Sequence, residues 1–250
     1  MRLSVILIAH NEIANLRDCL ASVAFADEVI VVDSGSTDGS VALAREMGAK
    51  VLETDWPGFG PQKNRALDLA QGDWVFSIDA DERVPEGLRD EILMTISQPQ
   101  FDAYEMPRLS SFCGRFIRHS GWWPDPVLRL FRRGSARFTD VAVHERLIAQ
   151  GKTGRLRHHL LHYSYPDLES VLAKINRYSS DAARAKFAAG KRSTLLGACF
   201  RGFWTFFRHY TFQRGFLDGR EGFLLAVTAG IGNFCRYAKL AQLGRNEAKS

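Results

Sequence analysis

The segment WVFSIDADERVPEGL, residues 74–88, places three acidic residues directly after an apolar run. The run, residues 74–78, is typical of a buried strand, and Asp79, Asp81 and Glu82 follow it within four positions. Carboxylates so close together repel one another unless a positive group lies between them. The segment therefore predicts a cation-binding site at the end of a strand.

The chain before this segment alternates between strand and helix patterns. Apolar runs predict strands at residues 4–9, 28–33, 51–54 and 74–78. Helical spacing of apolar residues predicts helices between them, the first with Asn11 as its N-cap. Because a β-α-β-α-β-α-β order favours a mostly parallel sheet with helices on both faces, the sequence predicts an α/β fold.

Acidic residues follow three of the predicted strands. Glu12 follows the first strand, Asp33 ends the second, and Asp79 and Asp81 follow the fourth. Ligands of open parallel sheets bind beyond the carboxyl ends of the strands. Two carboxylates two positions apart suit a hard divalent cation such as Mg²⁺ or Mn²⁺, which also binds substrate phosphates. A metal–diphosphate is therefore the expected positive partner; turn formation or helix capping is the alternative role of these acids.

Composition restricts the class of protein. The 250 residues fit one large domain, or one domain with an appendage, and carry a net charge of +5. A basic chain favours anionic partners such as phosphates, nucleic acid or anionic lipid. The four cysteines are scattered without a CxxC pair, which predicts reduced thiols in a cytosolic protein and excludes a disulfide framework or a zinc site. The apolar run at residues 3–9 is short and lacks a small-residue cleavage site, so the sequence predicts a buried strand there and not a signal peptide.

The second half of the chain changes character. Strand patterns occur at residues 104–109, 127–132, 141–145 and 160–165, and the chain is helical in pattern from residue 168 onward. The sequence contains no internal repeat. It also lacks a GxxxxGK motif and a GxGxxG motif after the first strand, so P-loop and dinucleotide-binding functions are unsupported.

Four ordered motifs carry a family resemblance. They are AHNE at 9–12, VVDSGSTDGS at 31–40, QKNRALDLAQGDW at 62–74 and DADE at 79–82. Together they resemble the nucleotide-sugar-binding half of family-2 glycosyltransferases, which have the Rossmann-like GT-A fold and an Asp-x-Asp motif. Further segments are similar to lipopolysaccharide-core glucosyltransferases that add a β-1,4-linked glucose to inner-core heptose. These segments are RLFRR at 129–133, VHE at 143–145, HYSY at 162–165, GFLDGREGFLLA at 215–226 and YAKL at 237–240.

The resemblance implies roles for individual residues in a UDP-sugar site. The residues expected to contact the nucleotide sugar are Ala9, Asn11, Glu12, Asp33, Gln62, Lys63, Asp79 and Ala80. Asp79 is also expected to face a Mn²⁺ or Mg²⁺ ion, and Asp81 to ligate that ion directly. His162 is expected to complete the metal or diphosphate site.

An inverting sugar transfer needs a base that takes the proton of the acceptor hydroxyl. Many relatives place this base in a Glu-Asp pair, and this chain has His144-Glu145 instead. Glu145 is the expected base, whereas His144 is either the base itself or the residue that orients Glu145. A nearby segment rich in tryptophan and arginine supplies three residues expected to bind the acceptor, Arg118, Trp122 and Trp123.

The expected organisation is a GT-A domain at residues 1–166 followed by a helical region at 167–250. Within the domain, residues 1–98 form the nucleotide-sugar half and residues 99–166 the acceptor and catalytic half.

Residues 182–217 contain seven lysines or arginines, no acids and nine aromatic residues. Such a pattern is typical of nucleic-acid binding or of a helix in a membrane interface. The lipid-linked saccharide acceptor implied by the resemblance favours an anionic membrane surface; a helical cover for the sheet is the alternative.

The C-terminal region is too polar to predict a transmembrane helix. Its longest stretch without a charge, residues 222–235, has 14 residues, whereas a membrane span needs about 20. The expectation is a cytoplasmic protein peripheral to the inner face of the cytoplasmic membrane, with no nucleic-acid partner. Three other functions stay open: a polyprenyl-phosphate or other surface-polysaccharide sugar transferase, a nucleotidyltransferase, and a non-catalytic membrane- or nucleic-acid-binding protein.

Overall fold

The computed structural model describes residues 1–140 and 145–247 and forms two compact units. The first unit comprises Met1–Arg108 and Asp125–His162. The second comprises Leu109–Pro124 and the chain from Tyr163 onward. The segment Leu109–Pro124 therefore groups with the C-terminal helices.

The first unit begins with four parallel strands. These are β1 (Leu3–Ala9), β2 (Glu28–Asp33), β3 (Lys50–Glu53) and β4 (Trp74–Ser77), in the sheet order β3-β2-β1-β4. The helices between them are α1 (Ile13–Ser22), α2 (Ser40–Glu46) and α3 (Phe59–Leu69). The strand order reverses between β1 and β4, and open sheets bind ligands at such a reversal. The predicted alternation of strands and helices is confirmed.

The sheet then continues through an antiparallel strand. The remaining elements up to residue 165 are β5 (Glu82–Arg83), α4 (Glu86–Ser97), β6 (Ala103–Phe112), β7 (Arg115–Phe116), β8 (Asp125–Arg132), β9 (Ala136–Phe138), β10 (Leu147–Ala149), β11 (Thr153–Arg155) and β12 (Leu160–Tyr165). Strand β8 runs antiparallel to β4, with Leu130 opposite Phe76. This pairing places the amino-terminal part of β8 at the carboxyl end of β4. Beyond β8 the order is β6-β12-β5, while β9 and β10 form a separate two-stranded sheet.

Helices cover both faces of the sheet. Val5 and Leu7 of β1 point into a core shared with α1, α2 and α4, whereas Ile6 points to the face covered by α3. Strand β4 alternates in the same way, with Phe76 on the first face and Val75 on the second. Alternate side chains of a strand point to opposite faces, so both sets are buried only when both faces are covered. The predicted α/β architecture is confirmed.

The second unit consists mainly of helices. They are α5 (Leu168–Ala188), α6 (Leu195–Phe207) and α7 (Gly219–Glu247), with a π-helical turn at Arg208–Phe212 and a 3₁₀ turn at Gly215–Asp218. Helix α5 begins after Asp167, whose side chain accepts a hydrogen bond from the Ser170 N–H at 2.7 Å. Helices α6 and α7 approach closely, because a Cβ on Gly202 would lie only 3.1 Å from the carbonyl oxygen of Gly230.

The start of α1 and the segment at 141–145 differ from the expectations or lie outside the described residues. Asn11 does not cap α1: it has a φ of 56°, and its side chain accepts a hydrogen bond from the Thr37 N–H at 2.8 Å. Glu12 occupies the N-cap position instead. Asn11 turns the chain one residue earlier, in a left-handed conformation that asparagine tolerates better than most residues. The predicted strand at 141–145 falls largely on residues 141–144, outside the described residues, and Glu145 itself lies outside any strand.

The four cysteines are free thiols, with Cys19 buried and Cys199 exposed. Burial raises the pKa of the Cys19 thiol to about 12.

Over the described ranges 1–140 and 145–247, no helix combines the length and the apolar character that crossing a bilayer requires.

Candidate active site

Two loops at the carboxyl ends of β1 and β2 carry residues expected to contact the nucleotide sugar. Ala9 and Asp33 are register partners at the ends of these strands. Asp33 is buried, and its Oδ1 accepts hydrogen bonds from the Gly35 and Ser36 N–H groups at 2.9 and 2.8 Å. The Asn11 N–H donates to Ser36 Oγ at 2.8 Å. Asp33 therefore shapes the loop after β2, and that loop holds Asn11 in place.

Glu12 and Gln62 are engaged with neighbouring side chains. Glu12 Oε2 accepts a hydrogen bond from Asn15 Nδ2 at 2.9 Å. Gln62 is fully buried, and its Nε2 donates to Ser34 Oγ at 2.9 Å, which ties α3 to the loop after β2. The structure thus brings Gln62 to the Asp33 loop and places Glu12 at the start of α1. Their contacts with a nucleotide stay predictions.

A buried ion-pair network lies at the carboxyl end of β4. Lys63 Nζ is 2.9 Å from Asp79 Oδ1 and 3.0 Å from Glu145 Oε1. Arg129 Nη2 is 2.5 Å from Asp79 Oδ2 and 2.6 Å from Glu82 Oε1. The side chains of Lys63 and Arg129 are only 7% and 8% exposed. Asp79 is therefore held between one cation from α3 and one from β8. We refer to these five residues as the Asp79 network.

The Asp79 network keeps its central pair charged. Burial acts to raise the pKa of Asp79, but Arg129 and Lys63 outweigh it and hold that pKa well below its usual range. Burial acts to lower the pKa of Arg129, but Asp79 and Glu82 outweigh it and raise that pKa. Buried charges of this kind are tolerated because each has an opposite partner. Lys63 and Arg129 each contact two carboxylates, so the network shares its charges among several pairs.

The turn that carries Asp79 and Asp81 closes on itself. The Asp79 N–H donates to Glu82 Oε2 at 3.0 Å, and the Glu82 N–H donates to the Asp79 carbonyl oxygen at 2.9 Å. Ala80 is buried in the core between the two aspartates. The aspartates therefore have different partners: Asp79 faces the network, and Asp81 faces His162.

Asp81 and His162 are the pair best suited to a divalent cation. Antiparallel pairing of β12 with β5 places His162 opposite Glu82, and His162 Nε2 lies 3.3 Å from Asp81 Oδ2. That separation suits adjacent ligands of one ion, at metal–ligand distances of about 2.1 Å. Within the part of the chain that the structure describes, no three His, Cys, Asp or Glu side chains form a metal-binding group. The chain would therefore supply one carboxylate and one imidazole, and substrate phosphates the other ligands.

A cavity of about 410 Å³ opens beside the Asp79 network. Lys63, Asp79, Arg129 and Glu145 line it together with apolar residues such as Phe138. The side chain of Glu145 is 17% exposed, so a ligand in the cavity can reach its carboxylate. Pockets for small molecules commonly measure about 300–1,000 Å³. With Arg108 and Arg146 also in its lining, the cavity offers four cationic side chains and two carboxylates to an anionic sugar compound.

The residues expected to bind the acceptor lie in the second unit. Arg118 is exposed, and its guanidinium carbon lies 5.5 Å from the ring centroid of Trp123. Trp122 packs edge-on against Phe112 at 6.0 Å and beside Tyr165 at 5.9 Å, within the small core of this unit. The structure therefore brings Arg118 and Trp123 together, while Trp122 contributes to packing.

His144 lies outside the described residues, so its expected role stays a prediction. The motifs also left two arginines of the first unit without a role, Arg129 and Arg108. Arg108 Nη1 is 3.3 Å from Glu82 Oε1, which extends the Asp79 network by one cation. The available signal for Arg129 was its position inside the apolar run Leu-Arg-Leu-Phe, because an arginine in a buried strand needs a carboxylate partner.

Comparisons with known proteins identify the family. The family described as Glycosyl transferase family 2 matches residues 4–195. A Rhizobium meliloti protein named lipopolysaccharide core biosynthesis glycosyltransferase LpsC is 32% identical over 254 residues, which cover 96% of this chain and 92% of that protein. An uncharacterized glycosyltransferase of Rickettsia bellii is 31% identical, with 97% of this chain and 87% of that protein covered. The chain belongs to glycosyl transferase family 2 and is a glycosyltransferase.

A solved structure supports the fold. The crystal structure of residues 1–349 of S. aureus TarS in complex with UDP-GlcNAc aligns with a TM-score of 0.52 and 16% identity. The alignment covers 99% of this chain and 92% of the TarS chain. At this identity the likeness concerns the fold. The GT-A fold expected from the sequence, with its helical C-terminal region, is confirmed.

Proposed function

We propose that this family-2 member is an inverting, metal-dependent hexosyltransferase that moves glucose from UDP-glucose to a heptose of the lipopolysaccharide inner core. One observation carries the proposal: the Asp81–His162 pair and the Asp79 network both lie at the carboxyl end of β4. Their side chains comprise two potential metal ligands, two buried cations and a carboxylate that lines a cavity. These are the groups that transfer from a nucleoside diphosphate sugar requires.

Asp81 and His162 would hold the divalent cation, Mn²⁺ or Mg²⁺. When bound, the ion supplies positive charge that stabilises the leaving diphosphate. Lys63, which reaches the cavity from α3, adds a second positive charge for the same phosphates. Asp79 is held ionised by Lys63 and Arg129, so its carboxylate can accept hydrogen bonds from the ribose.

Glu145 is the proposed base. The acceptor hydroxyl attacks the anomeric carbon from the face opposite the diphosphate, and Glu145 takes the hydroxyl proton as the bond forms. Lys63 Nζ, 3.0 Å from Glu145 Oε1, holds the carboxylate at the cavity wall. Lys63 thus links the donor side of the cavity to the base.

The helical region at 167–250 is proposed to hold the enzyme against the inner face of an anionic membrane, where a lipid-linked acceptor would be presented. Helix α6 exposes large apolar side chains, with Leu196 at 82% and Phe200 at 66% exposure. Basic residues such as Arg192 and Arg201 belong to the same region. Apolar side chains that enter the headgroup layer, together with basic side chains that contact anionic lipids, are typical of interfacial helices. Transfer itself is assigned to the domain at 1–166.

Donor hydrolysis across a panel of nucleotide sugars tests the function. The purified protein is incubated with UDP-glucose, UDP-galactose, UDP-GlcNAc or GDP-mannose in Mn²⁺, Mg²⁺ or EDTA, and nucleotide release is measured. We expect UDP release from UDP-glucose that requires a divalent cation and rises when lipopolysaccharide truncated in the inner core is added. Equal release in EDTA would overturn metal dependence, and turnover of GDP-mannose alone would overturn the donor assignment. Failure of every lipopolysaccharide acceptor would overturn the acceptor class.

A further inference from the structure

The segment GFLDGREGFLLA, residues 215–226, contains a buried aspartate whose partners lie about a hundred residues earlier in the chain. Asp218 is 3% exposed. Its Oδ2 accepts a hydrogen bond from the His119 N–H at 2.8 Å, and its Oδ1 accepts one from the Arg118 N–H at 3.3 Å. The ring Nδ1 of His119 lies 3.0 Å from the same Oδ1. Both carboxylate oxygens therefore bind the segment at residues 117–124, which we call the acceptor loop.

The acceptor loop is tied to the same part of the chain at a second point. The Ser120 N–H donates to the Gln213 carbonyl oxygen at 2.8 Å, and His209 Nδ1 donates to the Ser120 carbonyl oxygen at 2.9 Å. Packing here is close, because a Cβ on Gly215 would lie 2.5 Å from Ser120 Oγ. Together with Asp218, these contacts fix the backbone of the loop at three successive residues, Arg118, His119 and Ser120.

Asp218 directly precedes α7, where an aspartate commonly caps the helix it introduces. Here both of its oxygens accept hydrogen bonds from the acceptor loop. A buried carboxylate binds backbone N–H groups more strongly than a neutral side chain does. The loop that Asp218 fixes presents the exposed guanidinium of Arg118 beside the ring of Trp123. An aromatic ring suits a sugar face, and a guanidinium suits a phosphate or carboxylate.

We propose that Asp218 is a positioning residue for the acceptor: it fixes the acceptor loop so that Arg118 and Trp123 bind a saccharide that carries a phosphate or a carboxylate. This inference rests on the proposed function, because it concerns the acceptor of the same transfer. Asp218 acts through the loop and does not contact the reacting atoms. Its effect should therefore fall on the acceptor and leave the donor unaffected.

The test compares Asp218→Asn with Asp181→Asn, an exposed aspartate on α5 of the same unit. Kinetics are measured with UDP-glucose and inner-core-truncated lipopolysaccharide. We expect Asp218→Asn to raise the KM for the saccharide acceptor about tenfold. The asparagine lacks the negative charge and the second oxygen that bind the backbone N–H groups of the loop. The donor KM and the rate of donor hydrolysis should stay within about twofold of wild type. Asp181→Asn should change none of these quantities.

Hydrogen exchange reports on the loop independently of the acceptor. In Asp218→Asn, we expect faster exchange at the Arg118 and His119 amides and unchanged exchange in β1 to β4. An unchanged acceptor KM alongside faster amide exchange would show that the contact is structural only, and would overturn the proposal. Equal rises in donor and acceptor KM would overturn it as well.

A double-mutant cycle tests whether Asp218 acts through Arg118. In an Arg118→Gln background, Asp218→Asn should raise the acceptor KM by less than about threefold, because the side chain it positions is already gone. A full additional tenfold rise would overturn positioning through Arg118. Absence of transfer by the wild-type protein would instead overturn the proposed function. Donor hydrolysis and amide exchange distinguish that failure from a failure of the positioning role of Asp218, because neither measurement needs an acceptor.

Discussion

Arg129 Nη2 lies 2.5 Å from Asp79 Oδ2, and this contact joins β8 to the end of β4 inside the first unit. The same nitrogen is 2.6 Å from Glu82 Oε1. A single arginine thus neutralises two carboxylates of the turn that carries the Asp-x-Asp motif. The conformation of this turn, which belongs to the proposed donor site, therefore depends on an arginine from β8.

Replacing Arg129 should destabilise the fold strongly. Arg129→Met removes the cation that Asp79 and Glu82 share, although Lys63 and Arg108 still contact them. We therefore expect the free energy of unfolding to fall by about 3 kcal/mol, the lower end of the loss for a broken buried pair. Urea denaturation followed by tryptophan fluorescence measures this change. Arg137→Met is the control, because the Arg137–Asp68 pair is largely exposed and such pairs contribute about 0–1 kcal/mol. Similar losses in the two variants would contradict the role given to Arg129.

Asp81→Ala should abolish metal-dependent UDP binding while the fold is retained. The substitution removes a charged oxygen from the proposed ion, and Asp81 is outside the Asp79 network. Calorimetric titration of UDP in Mn²⁺ and in EDTA measures the metal-dependent part of the affinity. Asp90→Ala, on the exposed face of α4, is the matched control. Unchanged Mn²⁺-dependent affinity in Asp81→Ala would remove Asp81 from the metal site.

Glu145→Gln should lose catalytic rate and keep donor affinity. A positioned base contributes about 10²–10⁴-fold to rate, so kcat should fall by that range. The glutamine is nearly isosteric and cannot take the proton, and the UDP-sugar KM should stay near that of wild type. Steady-state transfer kinetics provide both values.

His144→Ala is the companion variant for the base. If the histidine is the base, this variant will show the larger loss of kcat and Glu145→Gln the smaller. Transfer by Glu145→Gln within a few-fold of wild type would leave Glu145 a structural role only. A polyprenyl-phosphate acceptor would give that result too, because a phosphate nucleophile needs little help from a base.

Glu28 should make stability depend on acid pH. Its carboxylate is 2.7 Å from Lys50 Nζ, and it accepts hydrogen bonds from Ser4 Oγ at 2.5 Å and the Gln71 N–H at 2.6 Å. Burial acts to raise the pKa of Glu28, but these partners outweigh it and lower that pKa from 4.5 to about 2. Because the folded pKa is the lower one, the stabilisation is complete above pH 4.5 and is lost as the pH falls toward 2.

Glu28→Gln should therefore lower the free energy of unfolding at pH 7 by roughly 3 kcal/mol. The loss should shrink as the pH falls through the same window. Urea denaturation at a series of pH values measures it, with the exposed Glu46→Gln as control. Parallel stability curves for Glu28→Gln and wild type between pH 2 and 5 would rule out this assignment.

The membrane surface is testable with one matched pair of variants. Phe200 on α6 and Met94 on α4 are exposed to the same degree, 66% and 67%. Phe200→Glu should reduce cosedimentation with vesicles that contain anionic lipid, and Met94→Glu should not. Wild-type binding should weaken at high salt, because salt screens the basic contacts and leaves apolar insertion. If the protein stays in the supernatant at every salt concentration, the exposed face of α6 does not bind membranes.

Local pattern was sufficient for much of the fold. The predicted strands at residues 28–33 and 160–165 match β2 and β12. A continuous apolar run at 29–32 favours the first, and the tyrosines at 163 and 165 favour the second. Asn11 was misjudged as a cap, since its left-handed backbone depends on the loop after β2, which a local pattern does not contain. The backbone conformation of Asn11 is set by hydrogen bonds to the loop after β2 and not by helix capping.

Residues of the candidate site that belong to sequence motifs could be predicted. Residues that reach the site through pairing of distant strands could not. The motifs pointed to Asp79 and Lys63 separately, and the structure joins them at 2.9 Å. The role of Arg129 follows from the antiparallel pairing of β8 with β4, a contact between segments about fifty residues apart. No local spacing encodes that pairing, so the arginine that fixes the Asp-x-Asp turn was visible in the sequence only as a charge in an apolar run.

The insertion of β8 beside β4 also constrains how the chain is made. Until residues 125–132 leave the ribosome, β4 has an open edge, and open edges pair readily with other chains. A fragment that ends at residue 98 carries the donor motifs but keeps that edge exposed, so it should aggregate when expressed alone. Co-expression with residues 99–250 should rescue it, because β8 can then pair from a separate chain. Residues 1–98 and β8 are therefore expected to fold together, and exchange of either one between enzymes should require exchange of the other.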